Sequence, residues 1–493
     1  MHTRNACPTT RHSTPAQALA SILPVLLPVL LAVLLAALAL NGCTLAPKYE
    51  RPQPPLPAAW TSGSATPAST VANATLPDWR AVILDRPLQQ LIELALTNNR
   101  DLRVAALNIE RAQGQYQIER ANLFPKLNAT AGADTHRTPA KLSSTGAVTN
   151  THAYSAGLGV SAFELDFFGR IQSLKDQALE SFLATEQARR SVELSLVAEV
   201  ATSYLTLAAD REHLLLAREI LGTEEASFEV IRQRFEYGVA GGLDLSRAQT
   251  TVDTARNEVA RFEGLVTVDE NLLSLLAGLP LSPEQLPART LAEVADMREI
   301  PAGLPSEVLT RRPDVLTAEH QLQAANANIG AARARYFPSI TLTGSVGVAS
   351  NAVNTLFNAG TGTWAFAPLI SLPIFDAGAI RAGVRVAEAD RDILVARYEK
   401  AVQTAFREVS DALAQGASLS RQVEAQGSLV QASGTSFELS TLRYEAGVDG
   451  FLSTLDAQRS FAAARQNLIA ARLAQVANRL TLYKVLGGGW PDS

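Results

Sequence analysis

Apolar residues recur at steps of three and four positions along two long stretches of the chain, a spacing typical of one face of an α-helix. No proline falls within 140–279 or 374–490, and proline is excluded from helix interiors. Each stretch therefore predicts a helix of nearly 70 residues, about 100 Å long, and a returning helix of about 37 residues. Helices of this length have to pack on other helices along their length. One such face is formed by Ile171, Leu174, Ala178 and Phe182.

A pattern with period two occupies the segments between these helices. Apolar residues take alternate positions in four runs, with small polar residues or glycine between them. Period two predicts β-strands with one apolar face and one small polar face. The apolar face suits lipid and the polar face suits a wet lumen, although a two-sided soluble sheet would show the same alternation. The apolar positions are Leu127, Ala129, Ala131 and Ala133; Tyr154, Ala156, Leu158, Val160 and Ala162; Ile340, Leu342, Val346 and Val348; and Trp364, Phe366, Ile370 and Leu372.

Both patterns occur twice, because the second half of the chain resembles the first. A helix of about 35 residues is predicted to end at Phe124-Pro125 in one half and at Phe337-Pro338 in the other. Further on, the segments that begin at Arg234 and Arg443 share eight of 16 positions without a gap. A duplicated unit of roughly 200 residues is too long for a solenoid repeat and predicts two equivalent halves.

Four strands per chain are too few to close a membrane barrel. Lipid offers no hydrogen-bond partner to an open strand edge, and outer-membrane barrels need about eight strands or more. Several copies must therefore share one barrel, and three copies would supply about twelve strands. The strand pattern thus predicts a homo-oligomer.

The N-terminus has the features of an export signal. Met1–Gln17 is polar and carries two arginines but no acid, Ala18–Leu40 is almost wholly apolar, and a small residue precedes Cys43. A cysteine in this place resembles a bacterial lipobox, in which Cys43 would be lipidated. Asn41 departs from the residue usual at its position, and an uncleaved membrane anchor is the alternative. The proline-rich segment that follows predicts an extended tether.

The composition restricts the chemistry. The net charge is −5, with 43 basic and 48 acidic residues, so no basic bias indicates nucleic acid as a partner. The two cysteines exclude a disulfide framework and zinc-finger spacing. No phosphate-binding loop, no serine nucleophile motif with a usable histidine and no His-Glu-X-X-His motif occurs. We therefore expect no enzyme activity, no cofactor and no metal site.

Several motifs, in order along the duplicated chain, resemble the TolC family of outer membrane factors, and more closely its OprM-like or NodT-type lipoprotein branch of RND efflux systems. Each motif is weak alone, and their joint order from Cys43 to about Trp490 is specific. They are Tyr49-Glu-Arg-Pro52, Asn99-Arg-Asp101-Leu102-Arg103, Phe163–Arg170, both Arg-aromatic-Glu-X-Gly-Val turns, Leu455–Arg459 and Leu482–Trp490.

The resemblance implies an α+β fold and a homotrimer. Four strands per protomer would build one outer-membrane β-barrel, continued across the periplasm by a coiled-coil α-barrel with an equatorial belt. The channel would be passive, anchored in outer-membrane lipid of a Gram-negative bacterium, and joined to a periplasmic membrane-fusion adaptor and an inner-membrane RND-type pump. The predicted organisation is a signal peptide at 1–42, a lipid-anchored tether at 43–84, a first repeat at 85–278 with a β-hairpin at 126–167, an equatorial linker at 279–305, a second repeat at 306–487 with a β-hairpin at 339–375, and a C-terminal tail at 488–493.

The two glycine turns are the candidate functional site. By the resemblance, the turns at Gly238-Val239 and Gly447-Val448 are the periplasmic tips that meet the adaptor. Glycine suits such turns because it permits positive φ and close backbone approach. The plain alternative is a glycine that only caps a helix.

The residues after the second turn are the candidate gate. Leu452, Asp449 and Asp456 lie where OprM-like channels narrow, so a ring of Leu452 would exclude water and ions. Rings of the two aspartates would favour cations or raise the pKa of these carboxyls; a solvated face or an N-cap is the alternative. Asp244 matches a carboxylate of the closing salt-bridge network in TolC itself. The arginine that partners it there corresponds to Asp449 here, which departs from that pattern.

Two other functions fit parts of the sequence. A periplasmic coiled-coil adaptor or scaffold lipoprotein would share the long helices and the lipid anchor, but it would not need four alternating strands. A type I protein secretion duct would share the channel, and the lipobox and proline-rich tether favour efflux over it. The sequence does not name the cargo.

Overall fold

A computed structural model describes residues 44–53, 76–144, 146–287, 289–298 and 306–489. The predicted signal peptide, Cys43, residues 54–75 of the tether, residues 299–305 of the linker and residues 490–493 of the tail lie outside the described residues. The chain divides into two compact units. One comprises the strands with the flanking residues 117–177 and 325–389, and the other comprises most of the remaining helices.

In both halves a helix of 22 residues precedes the strand pair, and a long helix and a returning helix follow it. The helix before Phe337-Pro338 is thus shorter than the predicted length of about 35 residues. The two longest, α4 and α8, have 67 residues each, and the returning helices α5 and α9 have 36 and 35. The bounds are α1 (Trp79–Val82), α2 (Arg86–Asn98), α3 (Arg100–Ala121), α4 (Arg170–Glu236), α5 (Gly242–Ala277), α6 (Leu291–Val294), α7 (Pro313–Ala334), α8 (Ala379–Glu445) and α9 (Phe451–Val485).

The helix expected before Phe124-Pro125 is broken, which the periodicity did not predict. Asn99 separates α2 from α3 and has extended backbone, with φ −60° and ψ 133°. Its side chain accepts a hydrogen bond from the backbone N–H of Leu102 at 3.0 Å, as a helix N-cap does. Its Nδ2 donates to the carbonyl of Leu276 at 2.9 Å. The break is therefore held by a contact with a residue far away in the sequence.

The four strands form one antiparallel sheet in the order β1-β2-β3-β4. In this register Ala131 faces Ala156, which in turn faces Val348, so the predicted apolar positions share one face of the sheet. Within the described residues, no strand pairs with the outer edge of β1 or of β4. The strands are β1 (Leu127–Thr138), β2 (Thr149–Leu165), β3 (Ser339–Ser350) and β4 (Gly362–Ser371).

One assignment within β2 was wrong. The alternation placed Ala162 on the apolar face, but the register shifts between Val160 and Phe163. Ala162 lies in this bulge with a positive φ of 51°, and its backbone N–H donates to the Thr343 hydroxyl at 3.1 Å. The extra residue moves Phe163 to the position opposite Leu342. The bulge thus keeps the apolar face continuous along the strand.

Alanine, leucine and tyrosine form the core of the helical unit. The largest cluster surrounds the middle of α4, where Tyr204 and Leu205 are each 1% exposed and Leu207 is fully buried. A second cluster packs Leu309 and Val315 against α8. Among the described residues, α4 is the only helix long and apolar enough to cross a bilayer by length and composition, and 61% of its most apolar window is buried in protein. A core helix has the same properties.

The linker after α5 is fixed to the helices by charged side chains. Arg289 donates to the buried carboxylate of Asp85 at 2.9 Å, and Arg211 donates to the carbonyl of Pro287 at 2.5 Å. Glu212 accepts from the backbone N–H of Leu291 at 3.1 Å, at the start of α6. These bonds hold the described part of the linker on the helical unit.

Candidate functional site

The two predicted tips are turns of nearly identical backbone geometry. Gly238 has φ +73° and Gly447 has φ +70°, in the left-handed region where glycine has no steric cost. In the first turn the N–H of Val239 bonds the carbonyl of Arg234 at 2.8 Å, and in the second the N–H of Val448 bonds the carbonyl of Arg443 at 2.9 Å. These bonds close the ends of α4 and α8, as in a C-terminal glycine cap.

Each turn presents apolar side chains to the exterior of the chain. Val239 is 76% exposed and Val448 is 62% exposed. Tyr237 and Leu243 at the first turn are also exposed. Several exposed apolar side chains at one turn are typical of a contact surface for another protein. The role of these tips in binding an adaptor stays a prediction.

Asp449 is paired inside its own turn. Arg443 donates from Nε to one carboxylate oxygen at 2.7 Å and from Nη2 to the other at 3.0 Å. These hydrogen bonds lower the pKa of Asp449, whereas a bare ring of like charges would raise it. The first turn has Ala240 in the place of Asp449, so this ion pair belongs to the second repeat alone.

Arg234, the counterpart of Arg443, bonds a different partner. Its guanidinium donates to the hydroxyl of Tyr444 and lies 5.0 Å from the centre of the Tyr444 ring. The contact joins the end of α4 to the end of α8, so it links the two helical hairpins. Sequence reasoning missed Tyr444 and both arginines as site residues, although all three belong to the repeated turn motif.

The remaining gate candidates lie on the helices that leave the turns. Leu452 is 48% exposed in the first turn of α9, and Asp456 is exposed one helical turn further on. Asp244 is half-buried in the first turn of α5. Neither Asp244 nor Asp456 forms an ion pair within the described part of the chain. Leu243 takes the place of Leu452 in the first repeat and is 63% exposed, and the alignment of the repeats could have identified it.

The start of the tether is bound to α7. Arg51 donates from Nε and Nη2 to the two carboxylate oxygens of Glu319, both at 2.7 Å, and Tyr49 donates its hydroxyl to the same group at 3.2 Å. Glu319 is 4% exposed. Burial and the neighbouring carboxylate of Glu319 together raise the pKa of Tyr49. The tether is therefore docked on α7 at this point, although Cys43 itself lies outside the described residues.

A second contact of the tether lies closer to Cys43. Asn326 donates from Nδ2 to the carbonyl of Pro47 at 2.7 Å. A Cβ at Gly330 would lie 2.7 Å from the Ala46 nitrogen and 2.9 Å from the Ala46 Cβ. Glycine is thus required here for the tether to approach the helix.

No group of three or more His, Cys, Asp or Glu side chains suited to a metal ion occurs in the residues that the structure describes.

Comparison with known proteins decides the family. The sequence model of the outer membrane efflux protein family matches residues 91–279 and 304–488. The chain belongs to this family. The two matched ranges are the two halves found in the sequence, so the repeat is a property of the family fold.

Curated members of the family are similar over nearly the whole chain. The probable efflux pump outer membrane protein TtgC of Pseudomonas putida is 47% identical over 92% of this chain and 94% of its own length. Outer membrane protein OprJ of Pseudomonas aeruginosa is 44% identical over 80% of this chain and 82% of its own.

Solved structures of membrane proteins have the same fold. A membrane protein from Pseudomonas aeruginosa is 40% identical with a TM-score of 0.84, covering 90% of this chain and 100% of its own. The outer membrane channel MtrE of Neisseria gonorrhoeae, in its open state, is 39% identical with a TM-score of 0.80, covering 91% and 98%.

These findings confirm the resemblance to outer membrane factors and the α+β fold class of long helices with a four-stranded sheet per chain. The protein is an outer-membrane efflux channel that extends into the periplasm. Its family consists of efflux ducts and not of enzymes, and membership excludes the adaptor or scaffold alternative.

Proposed function

We propose that three copies of this chain form a passive exit duct for compounds delivered from the inner membrane. The observation that carries the trimer is the sheet, whose β1 and β4 edges pair with no strand among the described residues of one chain. Three sheets joined edge to edge give a closed barrel of about twelve strands, which leaves no edge open to lipid. The duct has no catalytic role, and an inner-membrane pump supplies the energy.

The tips receive the periplasmic adaptor. Val239 and Val448 are exposed beside the glycines that shape each turn. Burial of these side chains against an adaptor's helices would contribute about 1 kcal/mol or more for each valine. The adaptor in turn holds the duct to an RND-type pump, and the family's efflux names favour this arrangement over type I secretion.

The gate lies at the start of α9. At rest, Leu452 and Asp456 of three chains surround the axis, and Leu452 excludes water and ions. Adaptor and pump then stabilise an arrangement in which α9 moves these residues outward. The Arg443–Asp449 pair stabilises the second turn in the resting duct.

The cargo is a range of apolar and amphiphilic compounds. Relatives from Pseudomonas putida are named as outer membrane proteins of antibiotic, toluene and solvent efflux pumps. A wide passive duct selects little by itself, so the pump determines the specificity. Lipidation at Cys43, supported by the N-terminal pattern and the docked tether, would anchor the duct in the periplasmic leaflet.

Outer-membrane fractions run on gels unheated and heated, with conductance of the purified protein in planar bilayers, test this proposal. We expect a heat-sensitive trimer that forms pores. Leu452→Ala and Asp456→Ala should raise the conductance at rest, and Leu429→Ala, an exposed leucine on α8 far from the turn, is the matched control. A protein without conductance would contradict the duct, and unchanged closure in both variants would remove Leu452 and Asp456 from the gate.

A further inference from the structure

A cavity with both apolar and polar lining residues lies among three helices. Its volume is about 270 Å³, and α4, α5 and α9 line it. Its polar lining includes Glu224, Thr251, Glu258, Gln458, Arg459 and Gln466. Glu224 is 14 residues before Gly238 on α4, so it is about 21 Å along the helix from the tip glycine.

Glu224 is buried without full hydrogen bonding. The residue is 5% exposed, and its Oε2 has no hydrogen-bond partner among the described residues. The nearby Thr251 hydroxyl donates its one hydrogen to the carbonyl of Ala248 at 2.8 Å. An ionised carboxylate in this state is costly, and burial accordingly raises the pKa of Glu224.

Arg459 lies in the same cavity and is not paired with Glu224. Its guanidinium is close enough to lower the pKa of Glu224, yet the two side chains form no ion pair within 4.0 Å. Arg459 is three residues after Asp456 and seven after Leu452 on α9. Because these spacings are one and two helical turns, Arg459 moves with the gate residues.

The other charged groups around the cavity already have partners. Glu258 on α5 is bonded by Arg261 at 2.6 Å, and Glu225 on α4 is bonded by Arg256 at 2.9 Å. Among the described residues, the charged side chains that line the cavity without an ion-pair partner are thus Glu224 on α4 and Arg459 on α9. A displacement of α9 that carries Arg459 toward α4 would bring the two side chains into contact.

We propose that Glu224 and Arg459 are positioning residues of the gate, apart in the resting state and paired when α9 moves outward. The pair stabilises the open duct, because the buried carboxylate then gains the charged partner that it lacks at rest. The inference rests on the proposed gate motion and adds a latch about 20 Å from the tip.

The test is a double-mutant cycle on channel opening. Glu224→Gln and Arg459→Gln are each expected to lower the open fraction in planar bilayers by roughly three- to tenfold, and the double variant should lower it no further. Exchange of the charges in Glu224→Arg/Arg459→Glu should restore part of the loss. Glu225→Gln is the matched control, because Glu225 is next to Glu224 in the sequence but its carboxylate is already bonded to Arg256. The effect of Glu225→Gln on the open fraction should therefore add to that of Arg459→Gln.

The pH profile separates a latch from a purely structural role. Raising the pH ionises Glu224 and favours the paired state, so the open fraction of the unchanged protein should rise, and Glu224→Gln should flatten that rise. Additive single effects, or a pH profile that Glu224→Gln leaves unaltered, would overturn the latch. Pores that still form with normal conductance in those variants would leave the exit duct itself intact.

Discussion

Arg443, near the end of α8, binds both carboxylate oxygens of Asp449 across the glycine turn, at 2.7 and 3.0 Å. The pair closes the second tip, while the first tip has Ala240 in the corresponding position. The two halves of the chain therefore carry turns with the same backbone and different electrostatics.

Asp449→Asn should loosen the second tip and raise the conductance at rest by less than about fivefold, because exposed ion pairs contribute little. Ala240→Asp should have the opposite effect, since it offers Arg234 a carboxylate in the first turn. Planar-bilayer recordings measure both. Glu229→Gln, which removes the similarly exposed pair with Arg232, is the control, and an equal rise in that variant would contradict a role specific to the tip.

Tyr444 joins the two hairpins through Arg234. Tyr444→Phe removes the hydroxyl that accepts from the guanidinium but keeps the ring, which contributes about 0.5–1 kcal/mol at an exposed site. Tyr444→Ala removes both. We expect the resting conductance to be lowest in the unchanged protein, higher in Tyr444→Phe and highest in Tyr444→Ala. Equal resting conductance in the two variants would show that the ring contributes nothing.

Two acids on neighbouring helices predict an unusual pH dependence of stability. Burial and the charge of Asp210 raise the pKa of Asp269 to about 6, and burial raises that of Asp210. Because the folded state binds this proton more tightly than the unfolded state, the contribution of Asp269 to stability is lost as pH rises from about 4 to about 6.

Asp269→Asn should therefore raise the temperature of thermal unfolding, with a gain that grows between about pH 4 and pH 6 and is constant above. Calorimetry of the purified protein measures the difference between variant and unchanged chain at each pH. Asp253→Asn, an exposed aspartate on the same helix, should show no such growth. A gain independent of pH would disprove the linkage to this proton.

The tether contact at Glu319 predicts protection from protease. Trypsin cleaves after Lys48, which precedes the bound Tyr49 and Arg51. Glu319→Gln removes the charge that holds both side chains and should accelerate this cleavage by about tenfold. Mass spectrometry of the released peptide follows the rate. Gln321→Ala, exposed on the same helix, should leave it unchanged, and an unprotected tether in the unaltered protein would refute the docking.

The local periodicities predicted most of the fold, since apolar positions recur at period two in the strands and at three to four residues in the helices. They failed at Asn99, whose helix break depends on a bond to Leu276, and at Ala162, where an extra residue shifts the register. Both depend on partners distant in sequence. The Arg443–Asp449 pair is six residues apart and could have been found from the turn motif, but Arg234–Tyr444 spans 210 residues.

The unpaired edges of β1 and β4 have a genetic consequence. Each chain supplies one junction of a ring, so a single defective edge opens the whole ring and not one third of it. If a chain with proline in the middle of β4 were co-expressed in equal amount with the intact chain, only about one in eight randomly assembled trimers would contain three intact chains. A variant with a defective strand edge should therefore be dominant negative, because it also inactivates trimers that contain intact chains.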